Sequence, residues 1–228
     1  MEDYIFSNTK QLDDALTGAV STLLQKALFK KNKAVLVVSG GTTPLKLFQN
    51  LSLEDLDWAK ITVLLADERW VAPTSERSNE KLVREILLQN KASEAEFIPY
   101  FDPGVPAERK AEMLNQDPGF LRDSVDVMIL GMGEDGHTAS LFPDAENTKS
   151  IMDREGNNKV LPVTAPSVPE QRITLTFPVL IEAHNLFLHF TGALKREVLQ
   201  KACSGQVVLP VGQVLQQAKG AASIYWAA

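Results

Sequence analysis

One short segment gathers the residue types best suited to proton transfer. It holds an aspartate, a histidine and three glycines: Gly131, Gly133, Asp135, Gly136 and His137. An imidazole titrates near neutral pH, so it can take a proton from water and return it later. The aspartate two residues away could orient the imidazole, stabilise its cation or contact a substrate. Since glycines this close together indicate unusual backbone dihedrals or a backbone pressed against a ligand, the segment predicts a catalytic site centred on His137.

A second segment places charged side chains next to one another directly after the apolar run Ile61–Leu65. Asp67 and Glu68 are followed by Arg69, and arginine is a natural clamp for a carboxylate, a phosphate or a developing oxyanion. The simplest alternative is a solvated charge cluster at the end of a strand. Trp70 directly after the cluster favours a more structured loop, so we expect Asp67 and Arg69 to belong to a functional site.

A third segment, after the apolar run Ala34–Val38, is typical of a cradle for an anion. Gly40 and Gly41 let the backbone approach a ligand closely, and Thr42 and Thr43 add hydroxyl donors. The proline that follows is well placed at the first position of a helix, where free N–H groups and the helix dipole favour a phosphate. The alternative is a tight strand-to-helix turn with a threonine cap. The segment has neither a P-loop lysine nor a G-x-G-x-x-G pattern, which excludes the two common nucleotide-binding loops.

Two basic residues elsewhere could complete an anion site. Lys195 lies in the first turn of a predicted helix, where the helix dipole disfavours a cation, and a bound anion would explain that exception. Arg172 comes just before a predicted strand. The alternative for each is an exposed surface cation, and spacing alone leaves both interpretations open.

Other chemistries fit the sequence less well. Asp67, Glu68, Asp135 and His137 could converge on a divalent ion, but no H-x-x-x-H or H-E-x-x-H spacing supports a metal site. No G-x-S-x-G nucleophile elbow is present for a serine hydrolase. Three further residues are interpreted as structural: His184, His189 and Cys203.

The three segments that carry the candidate functional residues follow apolar runs, and these runs alternate with helical patterns. The apolar runs predict strands over Ala34–Val38, Ile61–Leu65, Val125–Leu130, Ile173–Thr176 and Leu186–Phe190. Helical spacing predicts helices over Asp13–Lys30, Pro44–Leu51, Ser78–Gln89 and Ala193–Ala202. Runs rich in Val, Ile and Leu suit strands buried on both faces, and their alternation with helices predicts a mostly parallel sheet. Because ligands bind beyond the carboxyl ends of such strands, the three segments should meet at one edge of the sheet.

We therefore expect a single α/β domain over residues 1–228. It should be a three-layer sandwich in which helices flank a mostly parallel, Rossmann-like sheet. The polar stretch Asp144–Asn158 should be a surface loop and not a boundary between domains.

The composition limits the classes of partner. There are 23 Lys and Arg against 29 Asp and Glu, a net charge of −6, which argues against nucleic acid but not against a small anionic substrate. No apolar stretch approaches the roughly 20 residues of a membrane span, and the segment MEDYIFSNTKQLDD carries acids where a signal peptide would be basic. The single cysteine excludes an internal disulfide. We expect a soluble, cytoplasmic protein with a small-molecule substrate and no nucleic-acid or membrane partner; the sequence leaves its oligomeric state open.

Together these segments resemble the family of 6-phosphogluconolactonases and glucosamine-6-phosphate isomerases/deaminases. The resemblance runs from about residue 34 to residue 210 and rests on SGGTTP, ADERW, the Ser78-Asn79 pair, GMGEDGHTASLFP, QRIT, FTGALKREVL and a late LP. The long form of the histidine segment, through Leu141, Phe142 and Pro143, favours the lactonase branch, as does the Arg69-Trp70 pair.

The resemblance implies hydrolysis of 6-phospho-D-glucono-1,5-lactone to 6-phospho-D-gluconate, without a metal or an organic cofactor. It implies that His137 is the general base that activates water and then protonates the departing ring oxygen. Asp135 and Asp67 match acidic active-site positions of the family, and Arg69 would neutralise charge near the carbonyl or orient the substrate. The phosphate would be held by Gly40, Gly41, Thr42, Thr43, Arg172 and Lys195.

Two other functions remain open at this point. An isomerase or deaminase of the same family would move protons between C1 and C2 of the sugar, with Asp67 as the acid/base. A sugar-phosphate sensor would bind through the cradle without turnover, but it would not need the pair of His137 and Asp135. The chain departs from the family pattern at Leu209–Gly212 and Ile224–Ala228, so the resemblance implies no role for those segments.

Overall fold

The computed structural model describes residues 1–228. The strands are β1 (Glu2–Phe6), β2 (Ala34–Val38), β3 (Ile61–Leu65), β4 (Asp67–Arg69), β5 (Glu96–Phe97), β6 (Val127–Leu130), β7 (Val160–Val163), β8 (Arg172–Leu175), β9 (Asn185–Thr191) and β10 (Ala221–Ala227). The α-helices are α1 (Thr9–Lys31), α2 (Leu45–Ser52), α3 (Asn79–Leu82), α4 (Ala107–Gln116), α5 (Thr148–Ile151), α6 (Phe177–Ile181), α7 (Ala193–Cys203) and α8 (Pro210–Gln217). Strands and helices alternate along most of the chain, as the sequence pattern predicts.

Seven strands form one sheet in the order β1-β10-β9-β6-β2-β3-β5, and every neighbouring pair is parallel. The strands predicted at Ala34–Val38 and Ile61–Leu65 have those bounds. All five side chains of β2 are buried, as expected for a strand that is covered on both faces. Helix α1 packs against β2, β10 and α2, whereas α7 packs against β9 and α8. The predicted α/β fold with a parallel sheet between helices is confirmed.

A second, smaller sheet corrects the sequence prediction. Strands β4, β8 and β7 form a separate three-stranded antiparallel sheet. The run predicted at Ile173–Thr176 is β8, so it does not join the parallel sheet, and the charged segment predicted as a loop is β4. The N–H of Leu175 donates to the carbonyl of Ala66 at 2.9 Å, which ties the small sheet to the end of β3. The candidate residues Asp67 and Arg69 on β4 and Arg172 on β8 therefore lie on paired strands.

Some elements lack the pattern that the prediction depends on. Four of the five side chains of β1 are exposed, so this strand shows no buried apolar run. The stretch Asp144–Asn158, predicted as a surface loop, contains the short helix α5. The helix predicted over Ser78–Gln89 is α3 followed by a π-helical turn over Val83–Leu87. None of the helices combines the length and the apolar character that crossing a membrane would require.

Candidate functional site

A polar cavity of about 280 Å³ lies at the carboxyl ends of β2, β6 and β9. Only four of its 19 lining residues are hydrophobic, so the cavity suits a polar ligand. Nine of the ten candidate residues line it: Gly40, Gly41, Thr42, Thr43, Asp67, Arg69, His137, Arg172 and Lys195. The tenth, Asp135, contacts His137. The three segments and the two separate cations therefore meet at one edge of the sheet.

The imidazole of His137 is held by Asp135. Its Nδ1 lies 2.6 Å from Oδ1 of Asp135, and the same oxygen accepts the N–H of His137 at 3.1 Å. Partial burial raises the pKa of Asp135, but the hydrogen bond and the charge of His137 outweigh burial and hold the pKa of this carboxyl below its usual value. An ionised carboxylate only accepts hydrogen bonds, so Nδ1 carries the hydrogen and Nε2 of the neutral ring keeps a lone pair. His137 is therefore arranged as a base at Nε2.

Two glycines of this segment are required by close packing. A Cβ on Gly133 would lie 2.3 Å from Cε1 and Nδ1 of His137, so any side chain there would displace the imidazole. Gly136 has a φ of 81°, and a Cβ there would lie 2.6 Å from Cδ1 of Leu209. The imidazole also contacts Phe142, with ring centroids 4.5 Å apart. The unusual dihedral predicted for these glycines is present at Gly136, whereas Gly133 leaves room for the imidazole of His137.

Asp67 is 6% exposed and lies beside Arg172. Its Oδ2 accepts the hydroxyl of Ser140 at 2.5 Å, and Nη1 of Arg172 lies 3.6 Å from the same oxygen. The antiparallel register pairs Arg69 with Arg172, and it places Asp67 on the same face, two residues along. Asp67 therefore balances the charge of Arg172. Sequence reasoning missed Ser140, whose only signal was its position three residues after His137.

The neighbouring acid, Glu68, holds the backbone. It is fully buried and accepts four hydrogen bonds, from the N–H groups of Arg69, Asn79 and Glu80 and from the hydroxyl of Ser78. Burial raises the pKa of Glu68, an effect that these hydrogen bonds oppose. Glu68 therefore fastens β4 to the amino end of α3. No group of three or more His, Cys, Asp or Glu residues is placed to hold a metal ion.

The cradle is shaped by Asn79 and by the amino end of α2. A Cβ on Gly40 would lie 1.8 Å from Oδ1 of Asn79, so only glycine fits there. Nδ2 of Asn79 donates to the carbonyl of Asp67 at 2.8 Å, which links the cradle to β4. Pro44 precedes α2 as its N-cap, one residue before the position that the sequence predicts for it. No side chain caps the first N–H groups of α2, so these donors and the helix dipole are available to an anion.

Three cations line the same cavity: Arg69, Arg172 and Lys195. The Nε atoms of Arg69 and Arg172 are buried without a hydrogen-bond partner, although Nη1 of Arg69 donates to the carbonyl of Arg77 at 2.5 Å. Burial lowers the pKa of Arg172, and the charge of Arg69 lowers it further, whereas Asp67 opposes both effects. Buried guanidinium N–H groups without a partner favour an anionic ligand that can accept from them.

The residues interpreted as structural differ in their surroundings. His189 is buried, its Nε2 lies 3.2 Å from Oδ1 of Asp13, and it also lines the cavity, which the sequence did not indicate. His184 is exposed and lies 3.8 Å from Asp126, away from the cavity. Cys203 is partly buried and packs against the core, and burial raises the pKa of its thiol. The packing interpretation of Cys203 agrees with this environment.

A parallel α/β sheet that gathers a base, acids and cations at its carboxyl edge defines an enzyme-type site for a small anionic substrate. The chain belongs to the family described as glucosamine-6-phosphate isomerases/6-phosphogluconolactonase, whose model matches residues 7–226. The resemblance identified from the sequence motifs is thus confirmed at the level of the family.

Individual relatives are similar over most of the chain. The 6-phosphogluconolactonase of Rhizobium meliloti (strain 1021) is 40% identical over 226 residues, covering 98% of this chain and 97% of the relative. That of Pseudomonas aeruginosa is 44% identical over 187 residues, covering 82% and 79%. The crystal structure of a 6-phosphogluconolactonase from Shewanella baltica OS155 matches with a TM-score of 0.94 at 36% identity, covering 100% of this chain and 98% of that one.

Proposed function

We propose that this protein is a hydrolase that converts 6-phospho-D-glucono-1,5-lactone into 6-phospho-D-gluconate, a step of the oxidative pentose phosphate pathway. The proposal depends above all on the hydrogen-bonded pair of Asp135 and His137 at a cavity that also bears an anion cradle and three cations. A lactone is a reactive ester, so positioned water and one general base can suffice without a covalent intermediate. The relatives named 6-phosphogluconolactonase support the same substrate.

In this proposal the two ends of the substrate bind to different parts of the cavity. The phosphate binds to the cradle Gly40–Thr43, where the N–H groups of α2, the guanidinium of Arg172 and the ammonium of Lys195 supply donors and positive charge. The lactone carbonyl then lies near Arg69 and His137. Binding through the remote phosphate thus orients the carbonyl carbon toward the base.

The reaction needs one proton carrier. Nε2 of His137 removes a proton from water while the water oxygen bonds to C1 of the lactone, and the carbonyl electron pair moves onto its oxygen. Arg69 stabilises the resulting oxyanion. When the tetrahedral intermediate collapses, the bond between C1 and the ring oxygen breaks, and His137 returns its proton to that oxygen. The new carboxylic acid then ionises in solvent, and Asp135 stabilises the imidazolium between the two proton transfers.

Replacement of the base tests this mechanism. In His137→Ala, acid release from the lactone, after subtraction of spontaneous hydrolysis, should show kcat lower by about 10²- to 10⁴-fold, with binding of 6-phosphogluconate largely intact. His184→Ala is the matched control, because this histidine is exposed and lies away from the cavity, and it should keep the parental rate. Unchanged lactonase kinetics in His137→Ala would contradict the proposed role.

Activity on glucosamine 6-phosphate distinguishes the isomerase/deaminase branch of the family from the lactonase branch. An isomerase or deaminase would need Asp67 to exchange protons with the sugar, but Asp67 is buried, accepts the hydroxyl of Ser140 and lies beside Arg172. These contacts favour the lactonase. Release of ammonia from glucosamine 6-phosphate without lactone hydrolysis would overturn the proposal, and binding without turnover of either substrate would identify a sensor.

The proposed mechanism uses groups of the chain alone. His137 supplies the base, and Arg69 supplies the charge that stabilises the oxyanion, so treatment with a metal chelator should leave the lactonase rate unchanged. Loss of activity on chelation, restored by a divalent cation, would contradict this part of the proposal. The cytoplasmic location stays a prediction from the sequence.

A further inference from the structure

The turn that joins β9 to α7 is held by β10. The N–H of Gly192 donates to the carbonyl of Ala227 at 3.0 Å, and Nε1 of Trp226 donates to the carbonyl of Gly192 at 3.0 Å. Gly192 has φ 94° and ψ 145°, a conformation that residues with a side chain rarely adopt. Because both backbone groups of Gly192 are bonded to β10, this strand fixes the direction in which α7 begins.

A second set of contacts holds the first turn of α7. Nη1 and Nη2 of Arg196 donate to the two carboxylate oxygens of Asp3 at 2.9 Å and 2.5 Å. The guanidinium carbon of Arg196 lies 5.2 Å from the ring centroid of Trp226, within the range of a cation–π contact. We call Asp3, Gly192, Arg196 and Trp226 the α7 clamp. The clamp therefore ties the start of this helix to both β1 and β10.

The residue between Gly192 and Arg196 that matters to the site is Lys195. It lines the cavity, whereas its neighbour Arg196 points to Asp3. Lysine is a flexible point charge, so its strength as an anion ligand depends on where the backbone places its Cα. If the first turn of α7 could shift, the ammonium group of Lys195 would occupy more positions in the free protein. Substrate binding would then have to fix it in one position, at a cost in conformational entropy that weakens binding.

We propose that Trp226, through the α7 clamp, is a positioning residue for the phosphate-binding lysine. Trp226 does not line the cavity; it acts through Gly192 on the placement of Lys195. The inference rests on the proposed function, in which Lys195 binds the phosphate of the substrate. It gives a role to the segment Ile224–Ala228, for which the family resemblance implied none.

Trp226→Phe tests the inference because it keeps an aromatic ring beside Arg196 and removes the five-membered ring with the indole N–H that donates to Gly192. Loss of this one hydrogen bond should raise KM for 6-phosphogluconolactone about three- to tenfold at nearly unchanged kcat. The inhibition constant of inorganic phosphate, used as a competitive inhibitor, should rise by a similar factor. Hydrolysis of D-glucono-1,5-lactone, which has no phosphate, should keep its parental rate constant.

Trp58→Phe is the matched control. Nε1 of Trp58 donates to the carbonyl of Glu54 at 3.1 Å, and this tryptophan does not line the cavity. The control removes the same type of hydrogen bond, so it should lower the free energy of unfolding without a change in KM or in phosphate inhibition. If Trp226→Phe behaves like Trp58→Phe, with lower stability and parental KM, Trp226 is only structural and the inference is wrong.

Lys195→Ala separates failure of the inference from failure of the proposed function. If Lys195→Ala leaves KM unchanged, the lysine does not bind the phosphate and the proposed site is misplaced. If Lys195→Ala raises KM but Trp226→Phe does not, the positioning role of Trp226 is contradicted, and the proposed phosphate site still holds. Should Trp226→Phe fail to fold, Asp3→Asn decides, because it weakens the clamp from the exposed side: a raised KM supports the clamp, and a parental KM overturns it.

Discussion

Gly133 packs against the imidazole of His137 so closely that a Cβ at this position would lie 2.3 Å from two ring atoms. The loop also closes on itself, because the N–H of Gly133 donates to the carbonyl of His137 at 3.0 Å. The backbone and the ring are thus fitted to each other. The position of the His137 ring in the cavity depends on a residue that has no side chain.

Gly133→Ala should therefore lower kcat without removing any chemical group. The new methyl group must displace the ring or its bond to Asp135, so we expect a loss of about 10- to 100-fold in kcat and a smaller change in KM. Gly18→Ala is the control, since a Cβ there meets no atom within 4 Å; it should keep the parental kcat and add about 0.5–1 kcal/mol of stability. Parental kcat in Gly133→Ala would show that the observed ring position is not the one used.

Asp135→Asn should change the pH dependence of the reaction. The pKa of Asp135 lies below its usual value, so this carboxylate is ionised over the neutral range and favours the imidazolium. Without its charge the imidazolium of His137 is less stable, so the acid limb of the kcat profile should move to lower pH. We also expect kcat to fall by about 10- to 100-fold, because the amide can present a donor to Nδ1 and disfavour the productive tautomer.

Asp117→Asn is the matched control for this variant. Oδ1 of Asp117 accepts the N–H of Gly119, two residues on, at 2.7 Å, which is the same local bond that Asp135 makes with the N–H of His137. Asp117 does not line the cavity, so the control should keep the parental pH profile. An acid limb that does not move in Asp135→Asn would mean that the carboxylate does not stabilise the charged ring.

Glu68→Gln should destabilise the protein. Glutamine has one acceptor oxygen, so its NH₂ group would face the N–H of Glu80 and the hydroxyl of Ser78, which now donate to Oε2. A buried donor left without an acceptor costs about 1–3 kcal/mol, and we expect a loss of that size in the free energy of unfolding from urea denaturation. Equal stability of parent and variant would contradict the role of Glu68 in fastening β4 to the amino end of α3.

The same variant should alter the pH dependence of stability. Burial raises the pKa of Glu68 above its ordinary value of 4.5 in the folded protein, so the folded state binds this proton more tightly than the unfolded chain does. The contribution of Glu68 to stability is therefore full below its unfolded pKa and falls as pH rises through the folded value. The difference in unfolding free energy between parent and Glu68→Gln should accordingly be larger near about pH 5 than near about pH 7.

The central strands and the three chemical segments were predictable because each depends on local sequence. The run at Ala34–Val38 is apolar throughout, and the strand buries all five side chains. A parallel sheet sends the carboxyl ends of such strands to one edge, so the convergence of the segments follows from topology alone. This is why the candidate residues Gly40 and His137 could be placed together from the sequence.

The contacts that orient these groups were not predictable, because they join residues far apart in the chain. Nothing near Asp67 in the sequence indicates Arg172 as its neighbour, since β4 and β8 pair only in the small antiparallel sheet. Asn79 shapes the cradle through the space left by Gly40, and Ser140 bonds Asp67 across the fold. Sequence reasoning thus brings the candidate residues to one edge of the sheet more readily than it finds the residues that hold them there.

Variants of the two cations that we propose bind the phosphate should raise KM more than they lower kcat. Both Arg172 and Lys195 line the cavity, and the proposed phosphate lies at the far end of the substrate from the reacting carbonyl. Loss of one charge-assisted hydrogen bond should raise KM about 10- to 100-fold in Arg172→Ala and in Lys195→Ala. Lys201→Ala is the control, because this lysine is on the same helix as Lys195 but exposed and away from the cavity, and its KM should stay parental.

The two variants should differ in stability, because only one of these cations is buried beside an acid. Arg172 is 6% exposed and its Nη1 lies 3.6 Å from Oδ2 of Asp67, so Arg172→Ala leaves a buried carboxylate without its nearest cation. Breaking a buried ion pair from one side is costly, and we expect Arg172→Ala to lower the free energy of unfolding by about 3–5 kcal/mol. Lys195 has no such partner, so Lys195→Ala should keep the parental stability while its KM rises. A parental KM in both variants would place the phosphate elsewhere, whereas a raised KM only in Arg172→Ala would mean that its effect comes through Asp67 and not through the phosphate.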